Sequence, residues 1–216
     1  MRIALIHALP VSIPPIEEAF TRLWPEAETV NLTDDSLAGD LAAAGTLLPE
    51  MTDRFRLLAR YSAEAGADAI LFTCSAFGPC IEVCAADLKP LPVLKPNDAL
   101  IEECAAIGGA EAVIGLLATF NQTMDTMPLE FETAQPGFRM KTALATKALD
   151  LLTAGDRDGH DQAAAEIAAA ELFECDVIAL AQFSLSPAAA LIAKRTGRPV
   201  LTPPDTSVLK LKRIFT

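Results

Sequence analysis

The residues best suited to chemistry stand in one short segment, LFTCSAFGPCIE, at 71–82. An apolar run ends at Thr73, Cys74 follows directly, and Pro79 suits the first turn of a helix. Cys74 is therefore expected between the carboxyl end of a strand and a helix N-terminus. Free amides and the positive helix end lower a thiol pKa there and hold an anion. A thiolate so placed is a carbon base or a nucleophile. Ser75, Ala76 and their backbone N–H groups would cradle an oxyanion or a carboxylate. The alternative is a buried, inert thiol, the usual fate of free cysteines, and position alone leaves both readings open.

The remaining reactive side chains are less telling. His7 closes the first apolar run and is expected at the same rim as Cys74, facing substrate or serving as a core or capping residue. Ser184 and Ser186 precede a helix at Pro187 as Ser75 precedes one at Pro79, and are either carboxylate binders or helix caps. Cys80 and Cys84 are four apart on one helix face, Cys104 lies on another helix, and Cys175 falls at the far end of a strand; all four read as packing thiols. No CxxC or Cys/His spacing suggests a metal. No GxGxxG or GxxxxGK[ST] supports a nucleotide, so neither metal nor cofactor is expected.

These residues need strands and helices to hold them. Short runs rich in Ile, Val and Leu occur at 3–8, 69–73, 93–95, 112–118, 177–181 and 200–202. They lack polar alternation, as strands covered on both faces do. Helix-patterned segments lie between them at 16–23, 48–66, 79–88, 99–108, 141–152, 162–173 and 187–197, with Gly66, Gly108 and Gly197 as stops. The stretch 121–140, with Met124, Met127, Phe131 and Phe138, reads as either a cleft flap or a packed connection. Strand–helix alternation predicts α/β architecture with parallel sheets.

The two halves also repeat. DAILFTCSAFGP at 68–79 lies over DVIALAQFSLSP at 176–187 with an offset of 108 residues. Pro92-Val93-Leu94 lies over Pro199-Val200-Leu201 at 107, and Ile3–Ile6 over Ile114–Leu117 at 111. The expected fold is two pseudo-twofold-related lobes, each a parallel sheet flanked by helices. The first covers 1–98 plus about 206–216, the second 99–205. Ligands of open α/β sheets bind outside the strands' carboxyl ends, so an active-site cleft between the lobes is expected, with residues 74 and 182 facing each other.

Composition narrows the class. The chain has 216 residues, 51% of them apolar, and a mean hydropathy of +0.32, enough for a large core without staples and too apolar for disorder. A formal charge of −12 lacks the positive footprint that nucleic acid or an anionic membrane requires. The opening MRIALIHALPVSIPP is too broken for a leader, and no window offers the ~20 apolar residues of a membrane span. Five cysteines, an odd number, suit a reducing, cytoplasmic setting.

TCS at 73–75, IGLLATFNQT at 114–123 and RPVLTPPD at 198–205 together resemble the aspartate/glutamate (Asp/Glu/hydantoin) racemase superfamily, whose duplicated two-lobe plan is similar to the repeat above. The resemblance implies a cofactor-independent enzyme acting on a small carboxylate or amino-acid derivative, with Cys74 catalytic and Thr119 and Thr123 beside the substrate carboxylate. The superfamily's second cysteine is missing. ALAQFSLSPA puts Gln182 there, and an amide neither removes nor delivers a proton near neutral pH. It can hold a carboxylate or polarise a carbonyl. Two-thiol racemisation is disfavoured, which leaves racemase-type carbanion chemistry through one cysteine, a single-thiol decarboxylase or lyase, and a non-catalytic carboxylate binder. A small carboxylate is the expected partner, and a homodimer is left open.

Overall fold

The computed structural model describes residues 1–109, 111–134, 136–137 and 139–216. The chain divides into two compact units, 1–98 with 207–216, and 99–206. The boundaries fall within two helices, α5 (Pro96–Gly108) and α10 (Pro203–Phe215).

Unit 1 is built around four strands: β1 (Arg2–His7), β2 (Glu28–Thr33), β3 (Ala69–Phe72) and β4 (Val93–Leu94). They form one all-parallel sheet in the order β2-β1-β3-β4. Helices α1 (Ile13–Leu23), α2 (Leu37–Ala44), α3 (Pro49–Glu64) and α4 (Gly78–Asp87) make the crossovers. Prolines stand in the first turns of α1, α3 and α4, where the missing N–H costs nothing. Ala4, Ile6, Ile70 and Phe72 bury one sheet face under Met51, Phe55 and Ala59 of α3 and Ile81 of α4. The C-terminal residues complete this unit. Phe215 meets Trp24 with ring centroids 6.1 Å apart, and Lys212 Nζ donates to the Leu23 carbonyl at 3.0 Å.

Unit 2 repeats the plan. Strands β5 (Val113–Ala118), β6 (Arg139–Leu144), β7 (Val177–Leu180) and β8 (Val200–Leu201) form a parallel sheet in the order β6-β5-β7-β8. Its helices are α6 (Asn121–Ala134), α7 (Thr146–Thr153), α8 (Arg157–Glu171) and α9 (Ala189–Thr196). Both sheet faces are covered: Ile178 and Leu180 pack with α8 and α9, while Val177 and Ala179 pack with Leu100 and Cys104 of α5 and Phe131 of α6.

The repeat holds at the level of single hydrogen bonds. Asp68 accepts the Arg2 N–H at 2.7 Å, and Asp176 accepts the Val113 N–H at 2.9 Å. Thr73 N–H donates to Ile6 O at 3.0 Å, and Ala181 N–H donates to Leu117 O at 2.9 Å. Past the first strand of each unit, Ser12 N–H reaches Leu9 O at 3.1 Å and Thr123 N–H reaches Phe120 O at 3.2 Å. Sequence offsets of 108 and 111 thus join positions with the same backbone role.

The two edge strands β2 and β6 are absent from the sequence reading, and 141–144, expected as the start of a helix, belong to β6. ETVNLT and RMKTAL are edge strands with mixed exposure; they alternate instead of running apolar, and a search for continuous apolar runs passes over them. Residues 121–134 form α6, with Met127 and Phe131 buried, a packed connection rather than a flap. Phe138 lies outside the described residues. The stop expected at Gly108 falls one residue later, at Gly109, whose φ is +66°.

Candidate active site

Cys74 leaves β3 in extended backbone, φ −121° and ψ 114°, and caps a short 3-10 turn, Ser75–Phe77, that runs into α4. The turn is pinned from both sides. Phe72 before it and Phe77 within it pack on Phe55 of α3, with ring centroids 5.0 and 4.8 Å apart. Cys74 is half-buried, Ser75 half-buried and Ala76 exposed, whereas the other four cysteines are buried. The expected strand-to-helix position is therefore present. The expected low thiol pKa is not. Burial pushes the Cys74 thiol up, and a backbone hydrogen bond from Ala76 offsets this only in part. The physical reason is that one N–H and a 3-10 turn recover less than desolvation of a thiolate costs. Burial thus outweighs the single donor and holds the thiol above its ordinary pKa.

His7 lies at the end of β1. It has no exposed surface, and both ring nitrogens are engaged by neighbouring side chains. Asn31 on β2 donates to Glu17 Oε1 at 2.6 Å, which turns its carbonyl toward the ring, 2.9 Å from His7 Nε2. Nε2 therefore carries the proton and Nδ1 accepts. The Thr73 hydroxyl lies 2.8 Å from Nδ1, and the Ser12 hydroxyl lies 2.9 Å from Thr73 Oγ1 and 3.2 Å from Nδ1. Ser12 can also turn its O–H to the Leu9 carbonyl at 2.7 Å. Burial pushes the His7 pKa below 6.5, against the Asn31 hydrogen bond and the charge of Glu17, which both raise it.

In unit 2 the equivalent loop carries Gln182, in extended backbone after β7 and ahead of a 3-10 turn, Phe183–Ala188. Its amide is braced at both ends. Oε1 accepts the N–H of buried Thr119 at 3.1 Å, and Nε2 donates to Thr123 Oγ1 at 2.8 Å. Thr119, Thr123 and Gln182 thus form one cluster at the strand ends of this unit. With its oxygen held by an N–H and one amide hydrogen spent, Gln182 has one N–H and the Thr123 hydroxyl proton left to offer a ligand. Ser184 is half-buried inside the 3-10 turn, and the buried Ser186 hydroxyl oxygen has no hydrogen-bond partner among the described residues.

The other thiols are packing groups. Burial pushes Cys84 to about 11 and Cys104 to about 12. Cys80 Sγ lies 3.3 Å from Thr52 Oγ1. Cys175 fills the space beside Gly115, where an added Cβ would sit 3.0 Å from its Sγ. Among the described residues no three His, Cys, Asp or Glu side chains gather to hold a metal, and no helix is long and apolar enough to cross a membrane. Sequence reasoning passes over Thr73, Ser12 and Asn31. One signal for Ser12 was available, since it lies 111 residues before Thr123 and shares its place in the repeat.

Known structures share this architecture. A glutamate racemase from Francisella tularensis subsp. tularensis SCHU S4, in complex with D-glutamate, is 14% identical and superposes with a TM-score of 0.69 over 99% of this chain and 80% of that one. An aspartate racemase homologue from Pyrococcus horikoshii OT3 is 13% identical, with a TM-score of 0.73 over 99% and 98%. Allantoin racemase from Pseudomonas fluorescens is 17% identical, with a TM-score of 0.70 over 100% and 91%. At such identities the likeness is one of fold. No curated protein matches the sequence significantly. The sequence itself matches Asp/Glu/hydantoin racemase over residues 16–211, a span that takes in every strand but β1 and the loops of Cys74 and Gln182, and the chain belongs to that family.

Proposed function

We propose that the protein is a cofactor-independent enzyme of carbanion chemistry, acting next to the carboxylate of a small acid or amino-acid derivative, with Cys74 as its single acid/base. The observation that carries this reading is the unequal pair at equivalent strand ends: a thiol at 74 and, at 182, an amide already braced by Thr119 and Thr123. Racemisation by two acid/base groups needs a proton removed on one face of the carbon and another delivered on the other. A braced amide does neither. Ser75 and Ala76 N–H groups beside Cys74 would hold an enediolate oxygen, and in unit 2 Thr119, Thr123 and Ser184 are the candidate carboxylate-holding groups.

The resting protonation of Cys74 favours one member of this class. A neutral thiol is ready to give a proton and unready to take one. It suits a reaction that makes the carbanion by breaking a carbon–carbon bond. A malonate-type substrate would lose carbon dioxide, its bonding pair passing into the enediolate. The Cys74 S–H proton would then form the new C–H bond, and the thiolate would be reprotonated from solvent. Single-thiol decarboxylation is thus the favoured form of the proposal, and racemase-type exchange through the same thiol is the second.

A panel of malonates, hydantoins, amino acids and unsaturated diacids in D₂O tests both. Following deuterium uptake and optical rotation together, one-sided delivery gives deuterated product of one configuration, and Cys74→Ser abolishes it. Racemisation at the rate of exchange by the unmodified protein would sink the one-thiol reading.

A further inference from the structure

Unit 1 contains something unit 2 does without. Where β1 and β3 end, His7, Thr73 and Ser12 are buried polar residues joined by contacts of 2.8, 2.9 and 3.2 Å. In the repeat Ala118 is the equivalent of His7 and Ala181 the equivalent of Thr73. Ala181 N–H still reaches Leu117 O as Thr73 N–H reaches Ile6 O. The places of His7 and Thr73 are therefore filled in unit 2 by alanines, and the equivalent of Ser12 is Thr123, which pairs with Gln182 instead. Burying an imidazole and two hydroxyls costs free energy unless every group is paired, so the topology supplies no reason for the trio. Its location does. Thr73 is the residue before Cys74, and the trio exists only in the unit whose loop carries the thiol.

We infer that Thr73, locked by His7 and Ser12, is a positioning residue for Cys74. The Thr73 side chain fixes its own Cα between Nδ1 of His7 and the hydroxyl of Ser12, and with it the Thr73–Cys74 peptide. That peptide sets the direction in which Cys74 enters the 3-10 turn and meets the Ala76 N–H. Asn31 and Glu17 hold His7 from the far side and settle which nitrogen accepts. The chain Glu17–Asn31–His7–Thr73–Ser12 thus ties β1, β2, β3 and the turn before α1 to the peptide that aims the thiol. No member touches substrate in this assignment. It rests on the proposed role of Cys74.

The test compares Thr73→Ala, which installs the residue unit 2 already uses, with Thr73→Ser, which keeps the hydroxyl. Iodoacetamide labelling of the whole protein, quantified at the Cys74 peptide by mass spectrometry from pH 6 to 11, reads thiol alignment without any substrate. Thr73→Ala should move the Cys74 labelling midpoint upward by at least half a pH unit, because the Ala76 N–H no longer meets the sulfur squarely, and Thr73→Ser should restore it. On the substrate found by the panel, Thr73→Ala should lower kcat at least tenfold with KM changed less than threefold. Ser12→Ala should show the same pattern more weakly. A folded Thr73→Ala protein with an unchanged midpoint overturns the inference, as does a midpoint shift that Thr73→Ser fails to reverse. Activity surviving in Cys74→Ser would instead overturn the functional reading, leaving the labelling result to decide this one.

Discussion

The bracing of Gln182 makes a prediction about stability that can be worked from two distances. Gln182→Leu keeps the size of the side chain and deletes both amide contacts. The Thr119 N–H, 3.1 Å from Oε1 and on a residue only 3% exposed, then has no acceptor, which costs about 1–3 kcal/mol. The bond to Thr123 Oγ1 at 2.8 Å contributes about 1 kcal/mol net, part of which water returns because Thr123 is half-buried. The expected loss is about 1–4 kcal/mol. Gln182→Glu has nearly the same shape, and one carboxylate oxygen still accepts from Thr119. Thr123 needs only to rotate its hydroxyl to donate to the other, so this variant should lose less stability than Gln182→Leu. Urea unfolding at neutral pH, with the midpoint converted through an unchanged m-value, measures both. A Gln182→Leu protein as stable as the parent, or a Gln182→Glu protein as weak as Gln182→Leu, would refute the described bracing.

Two further outcomes are expected. His7 has a folded pKa below 6.5, so between the two values the unfolded chain binds the extra proton; stability is complete above about pH 6.5 and falls as pH drops toward the folded value, by at most about 1.4 kcal/mol per pH unit for one proton. Urea midpoints from pH 5 to 8 should show this limb in the parent, and it should be absent from the curve of His7→Gln. Gly115→Ala would set a Cβ 3.0 Å from Cys175 Sγ and 3.3 Å from Leu172 Cβ, an overpacking cost of about 1–3 kcal/mol. Thermal melts should show it, and adding Cys175→Ala, which removes the nearest of those atoms, should recover part of it.

Much of this architecture can be read before any coordinates. Runs such as AILF and VIAL are apolar on both faces because a parallel sheet covered by helices leaves no wet face, and that signature is local. The duplication is local too, since Asp68 and Asp176 keep the same register to the strands they brace. The strand-to-helix position of Cys74 and the absence of a thiol at 182 follow from identity and spacing alone. Strands β2 and β6 were harder because an edge strand borrows its order from a neighbour. Glu28–Thr33 and Arg139–Leu144 carry mixed patterns that only pairing with β1 and β5 makes extended.

What the tertiary structure decided is the state of each group. A thiol at a helix start is lowered in pKa only if its surroundings leave the thiolate solvated or well donated to, and the packing around Cys74 does neither sufficiently. His7 lies at the end of a strand in either reading. Whether it faces a ligand or turns inward depends on Asn31, 24 residues on, and on Thr73, 66 residues on. Gln182 is named by the sequence as a missing cysteine, but its amide direction is set by Thr119 and Thr123, about 60 residues earlier. Residue type and spacing determine which groups reach the strand ends, because those are properties of the local chain. Protonation and orientation come from desolvation and hydrogen bonding among residues distant in sequence, and only the folded packing brings those together.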